Sequence, residues 1–260
     1  MSAHHQFLTQ LKNFDNESRN AARYAYADFA IQHAASKSKR LLNRLNETPT
    51  FWLAASAAFQ TAAYISLGRI FDNNSRYNID QLLCSAESNM SLFQREALAE
   101  RKREGRTSNP SWLLDYLNKA YFPKPSDFSR LRKKVNEYRA LYEHSFKPAR
   151  NKYIAHRERQ KHEDVSALFG RGKIKDLWRL TTFLQQLHEA LWQLYHNGQK
   201  PRFRRMRYSV AAMFKNPANG SSAHEDMVRE TQKLMKLLEE SAPNKALLPT
   251  SALARRRGRA

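Results

Sequence analysis

Glycine is scarce in this chain, at 7 of 260 residues. It is the usual residue of left-handed turns, tight hairpins and phosphate-cradling loops. A chain this long with so little of it lacks the turns that sandwiches, barrels and doubly wound sheets are built around. Neither GxGxxG nor GxxxxGK[S/T] occurs, so dinucleotide and P-loop binding lose their sequence support. Apolar residues at helical spacing fill the gap. Phe7, Leu8, Leu11 and Phe14 open a stripe that Tyr24, Ala25, Phe29 and Ala30 continue and Leu41, Leu42 and Leu45 close, over residues 5–46.

Thr48 followed by Pro49 predicts the start of a second helix, which runs to about Asp72. This helix is alanine-rich, and the expectation is that it forms the centre of the core. Its apolar run from Phe51 to Leu67 is broken by Ser56, Gln60, Thr61 and Ser66, then followed by Arg69, so it reads as a core helix and not a membrane span. Shorter helices are expected from Ile79 to Ser85 and from Ser111 to Tyr121. Between them, residues 94–110 read as a solvated helix end and loop. A stripe from Leu131 to Phe146 predicts a helix capped by Ser126 or Asp127 and interrupted by Pro148. Leu177 to Leu194 mark the last long helix, stopped by Asn197-Gly198. Trp52, Trp112, Trp178 and Trp192 fit these stripes and are expected in the core.

The expected fold class is all-α: a bundle of four to six helices over residues 5–198, with a basic, partly disordered C-terminal extension over 199–260 and a short helix at 224–240. The formal charge is +21, of which +9 falls on residues 200–260. That excess suits a polyanion such as RNA. Cys84 is the sole cysteine and has no Cys/His partners at zinc spacing. No HExxH or acidic cluster selects a metal, so neither metal nor cofactor is expected. The N-terminus has no secretory pattern, so the expected location is the cytoplasm, away from membranes.

Histidine and arginine carry the remaining chemistry. Histidine titrates near neutral pH and can accept the proton of a ribose 2′-OH, while arginine can stabilise charge developing on a phosphate. Arg followed by His after four to six residues occurs three times, at Arg139/His144, Arg150/His156 and Arg157/His162, about as often as chance allows. Context separates them. The first lies within an amphipathic stripe, and the third is polar throughout. The second, Arg150-Asn151-Lys152-Tyr153-Ile154-Ala155-His156, follows Pro148 and sets an apolar run before its histidine.

That segment resembles the signature of the HEPN superfamily (higher eukaryotes and prokaryotes nucleotide-binding). The segment Leu67-Gly68-Arg69-Ile70-Phe71-Asp72, followed by Ile79-Asp80-Gln81-Leu82-Leu83, is similar to its abortive-infection, AbiU-type branch. The resemblance spans the organisation of residues 5–198. It implies a HEPN-like bundle, commonly a homodimer, and in many members a metal-independent endoribonuclease of toxin–antitoxin or phage-defence systems, with an antitoxin protein as partner. Carried over, Arg150 and His156 are catalytic and Asn151 is an accessory polar group. Some HEPN toxins carry a tyrosine two residues after the histidine, which a partner enzyme modifies; here that position is Glu158. The alternative reading is a non-catalytic all-α module that binds RNA or a protein.

On an ideal helix Arg150 and His156 lie about 120° and ~9 Å apart, a separation that two copies across a dimer would overcome. Lys152, His156 and Arg159 share one face, where the cations favour the neutral imidazole that a base needs; Lys152, Arg157 and Arg159 are the expected RNA-binding residues, the alternative being a solvated face. Arg69 and Asp72, at i and i+3, are expected to pair as a structural salt bridge.

Overall fold

The computed structural model describes residues 3–76, 78–106, 108–151, 172–204 and 223–241. The described residues are all-α, as expected. The helices are α1 (Ala3–Lys37), α2 (Lys39–Leu45), α3 (Pro49–Phe71), α4 (Ile79–Ser88), α5 (Arg95–Arg103), α6 (Leu113–Lys119), α7 (Pro125–Ser145), α8 (Lys147–Ala149), α9 (Ile174–Asn197) and α10 (Ala223–Glu240). A 3-10 turn, Met90–Phe93, joins α4 to α5. None of these helices is long and apolar enough to cross a membrane.

The stripe over residues 5–46, whose spacing allows one long helix or two abutting ones, forms two. Ser38 takes an extended conformation between α1 and α2, and its Oγ accepts a hydrogen bond from the Leu41 N–H at 3.1 Å. This is an N-cap, which satisfies a donor that the new helix would otherwise leave open. Pro125 opens α7, and Asp127, inside the first turn, accepts the Lys124 N–H at 2.8 Å. Gly198 closes α9 in the left-handed region at φ 56°. A side chain would be strained at that φ, and glycine's missing Cβ removes the strain.

α1, not α3, is the central helix. It packs along α3, α4, α9 and α10 and buries Phe7, Leu11, Phe14, Ala21, Ala25 and Phe29. The core expectation for α3 holds only from Ala63 onward: no residue of Pro49–Ala62 is buried, and Phe51 and Leu53 are 64% and 71% exposed. A helix apolar on every side gives no periodic indication of which face or which half is covered. The tryptophans divide similarly, since Trp178 is buried whereas Trp112 and Trp192 are exposed.

The charged stretch 94–110 is also less solvated than expected. Arg101 donates to the Tyr195 carbonyl at 2.9 Å and lies over the Tyr195 ring, while Lys102 donates to Asn197 Oδ1 at 2.8 Å. Both cations sit at the C-terminus of α9, where the unpaired carbonyls and the negative end of the helix dipole attract them. α10 packs against α1 and α2. Its Met235 is buried with Leu41 and Leu45, and Val228 with Ala22, Tyr26 and Trp178. Ser38 donates to Glu239 at 2.5 Å across the same contact.

Candidate functional site around Arg150

The site begins with a break in a helix. α7 ends at Ser145, Phe146 adopts φ −125°, ψ −34°, and the chain restarts as α8 with Pro148 in its first turn. Proline has no N–H for the preceding turn, so the helix cannot run straight through. Phe146 and Ala149 are fully buried, and Phe146 packs edge-on against Tyr64 of α3 at 5.3 Å between ring centroids. These contacts fix the chain just before Arg150, whose N–H bonds the Phe146 carbonyl at 3.0 Å. Arg150 and Asn151 then take a π-helical conformation, a local irregularity that often accompanies functional positions.

The Arg150 side chain turns back onto α3 and lies over Gly68. A Cβ on Gly68 would stand 2.8 Å from Arg150 Cδ and 2.9 Å from Cζ, so only glycine leaves room for it. One guanidinium nitrogen forms an ion pair with Asp72. Nε and the other terminal nitrogen donate to Asn151 Oδ1 at 3.0 and 2.7 Å. Among the described residues these bonds use three of the five guanidinium N–H groups, leaving two for an oxyanion. The pair is partly buried, at 20% and 21% side-chain exposure, so solvent screens it less than a surface pair.

Tyr142 backs the carboxylate. Its ring stacks on Phe71 at 5.2 Å, and its hydroxyl donates to Asp72 Oδ1 at 3.5 Å, a long contact. Burial first, and the Asp72 charge second, push the Tyr142 phenol well above its ordinary pKa. It therefore stays protonated and remains a donor at physiological pH.

The expected Arg69–Asp72 pair does not form. Arg69 reaches across to Glu17 of α1 at 3.1 Å, and Asp72 turns to Arg150 instead. The i, i+3 argument assumes a continuing helix, but Asp72 is the C-cap, with extended backbone at φ −79°, ψ 128°. Its side chain leaves the helical row that Arg69 occupies.

Of the predicted catalytic residues, the structure brings Arg150 and Asn151 together and adds Asp72, Gly68 and Tyr142. His156, Lys152, Arg157 and Arg159 lie outside the described residues, as does His162. His144 is exposed. Gly68 is the readable signal for this seat in the sequence: a glycine within a helix often marks a close approach by another group.

Residues 5–214 match the family model described as AbiU2, of the HEPN type. No curated protein matches the chain, and no solved structure matches it either. The family match includes both segments that meet at Arg150, the α3 end with Gly68 and Asp72 and the turn after Pro148. The chain belongs to the HEPN AbiU2 family.

Proposed function

We propose that this protein is a HEPN-type, metal-independent endoribonuclease that cleaves RNA through attack of a 2′-OH, acting in the cytoplasm as a toxin or phage-defence effector. The observation that carries this reading is the seating of Arg150 on Gly68 with Asp72 as its anchor. A guanidinium held in place before substrate arrives needs little reorganisation to meet charge developing on a phosphate. In the reaction His156 takes the proton from the ribose 2′-OH. The 2′-oxygen bonds to phosphorus, the bond to the 5′-oxygen breaks, and that oxygen leaves with the proton returned by the His156 imidazolium. The products are a 2′,3′-cyclic phosphate and a 5′-hydroxyl. Arg150 stabilises the charge on the phosphorane-like transition state, Asn151 holds its guanidinium, and Lys152, Arg157 and Arg159 bind the flanking backbone. Each protein copy contributes to a homodimer, and an antitoxin protein restrains the activity.

A second reading is a non-catalytic RNA-binding or protein-interaction module. It draws on the same ion pair, because an arginine engaged by Asp72 and Asn151 has part of its hydrogen-bonding capacity committed. Incubation of RNA with wild type and with His156→Ala, His144→Ala and His162→Ala in excess EDTA separates the two. The nuclease reading expects cyclic-phosphate ends and loss of cleavage in the His156 variant alone. Full activity of His156→Ala, or cleavage that requires Mg²⁺, rejects the mechanism.

A further inference from the structure

The first half of α3 has its polarity turned inside out. Ser56 and Gln60 face inward, where they donate to the Asp28 carboxylate of α1 at 2.5 and 3.0 Å. Phe51, Leu53, Ala54, Ala57 and Ala58 are exposed instead. Asp28 is itself buried, so turning α3 to cover its apolar side would strip two donors from a buried carboxylate. The helix is thereby held with that side outward. No Asp, Glu, Lys or Arg occurs from Thr48 to Gly68.

The apolar surface continues beyond α3. A cleft of about 460 Å³ lies between α2, the start of α3 and α10, with Leu45, Trp52 and Leu238 among its walls. Leu234, one turn before Leu238 on α10, and Leu237 are exposed as well. Arg44 and Glu47, which pair with each other, give the cleft a rim of both signs. Leu53 directly follows Trp52 of the cleft wall, and at 71% it is the most exposed large apolar side chain among the described residues.

We propose that this surface is where a second copy of the chain docks, α3 against α3 about a two-fold axis, with Leu53 of each copy entering the cleft of the other. It deepens the homodimer of the ribonuclease reading, on which it rests, while using none of that reading's chemistry. Two features select a second copy. A two-fold contact needs a projection and a recess on one patch, and Leu53 and the cleft supply both. Each copy also carries a formal charge of +21, so two copies repel over most of their surfaces and meet at least cost where charge is absent. Area sets the extent of the contact. The outward half of residues 49–62 is a strip ~21 Å long on a cylinder ~10 Å wide, roughly 300 Å² per copy. Two such strips fall short of the ~1,000 Å² of a specific interface, and the cleft with Leu234 and Leu237 makes up the difference.

The test is sedimentation equilibrium of the full chain at tens of micromolar, freed of nucleic acid, over a series of NaCl concentrations. Wild type is expected to be a dimer whose dissociation constant falls as salt rises, because salt screens the repulsion between copies and spares an uncharged contact. Leu53→Glu is expected to raise that constant at least about tenfold. Leu114→Glu, at another exposed leucine on α6, is expected to leave it unchanged. In a Cys84→Ser background, at least one of Ala54→Cys, Ala57→Cys and Ala58→Cys is expected to give a disulfide-linked dimer on mild oxidation, and Leu114→Cys is not. Circular dichroism establishes that each variant is folded. A wild-type monomer overturns the proposal, and one that floats with phosphatidylcholine–phosphatidylserine vesicles assigns the surface to a membrane instead. A dimer that salt dissociates is bridged by nucleic acid or surface charge and also overturns it. So does a dimer that withstands Leu53→Glu and gives no cross-link at the three alanine positions. A dimer sensitive to Leu53→Glu that cleaves no RNA keeps the interface and sinks the nuclease, while a monomer that cleaves RNA does the reverse.

Discussion

Gly68 has no side chain where the guanidinium of Arg150 needs the space, and the site depends on that vacancy. Gly68→Ala forces the arginine to move. If the proposed chemistry is right, a displacement of about 1 Å costs on the order of 100-fold in cleavage rate, whereas alanine is a better helix former than glycine by about 1 kcal/mol. The variant is therefore expected to retain its helical circular dichroism while losing cleavage. Unchanged cleavage by Gly68→Ala would show that the placement of Arg150 is immaterial. At this scale the sequence named both partners but joined them wrongly. Arg69 and Asp72 are neighbours by helical count, yet Asp72 sits where the helix ends, and the long-range pairing with Arg150 is visible only once α3 and α8 are packed.

The helices themselves were legible from punctuation. Pro49 opens α3, Gly198 stops α9, and the apolar stripe of α9 buries as its spacing requires, whereas α7 is capped at Lys124 and begins at Pro125, ahead of the expected Ser126 or Asp127 cap. The half-exposed α3 was not legible, because an all-round apolar helix has no preferred face. A titration tests the start of α7. Burial alone would raise the Asp127 carboxyl, but the Lys124 N–H, the Tyr121 hydroxyl and Arg130 outweigh it and hold it below its ordinary value. A depressed carboxyl stabilises the fold above its unfolded pKa and loses that contribution as pH falls through the folded value. Urea unfolding of wild type is therefore expected to lose stability on acidification below about pH 4, and Asp127→Asn is expected to show a smaller loss over that window. Parallel pH profiles for the two would contradict the assignment.

For the molecule as a whole, the C-terminal region carries structure as well as charge. Its helix α10 covers Leu41 and Leu45 with Met235, and Tyr26 with Val228. The helix at 224–240 is expected from the sequence, and the spacing of Val228, Thr231 and Met235 gives the face it buries. Met235→Ala is expected to destabilise the fold by about 2–4 kcal/mol, read as a lower urea midpoint. A midpoint equal to wild type would mean that α10 does not contribute to the folded body. Net charge accounts for attraction to a polyanion in general and assigns it no place on the molecule.

The central claim is that Arg150, seated on Gly68 and anchored by Asp72, meets the scissile phosphate. Its most direct test is the single-turnover cleavage rate of RNA in excess EDTA for wild type and Arg150→Ala, with thermal unfolding of both as the control for folding. The account predicts cyclic-phosphate ends from wild type and a rate at least about 100-fold lower in a folded Arg150→Ala. Cleavage by that variant at the wild-type rate would contradict it.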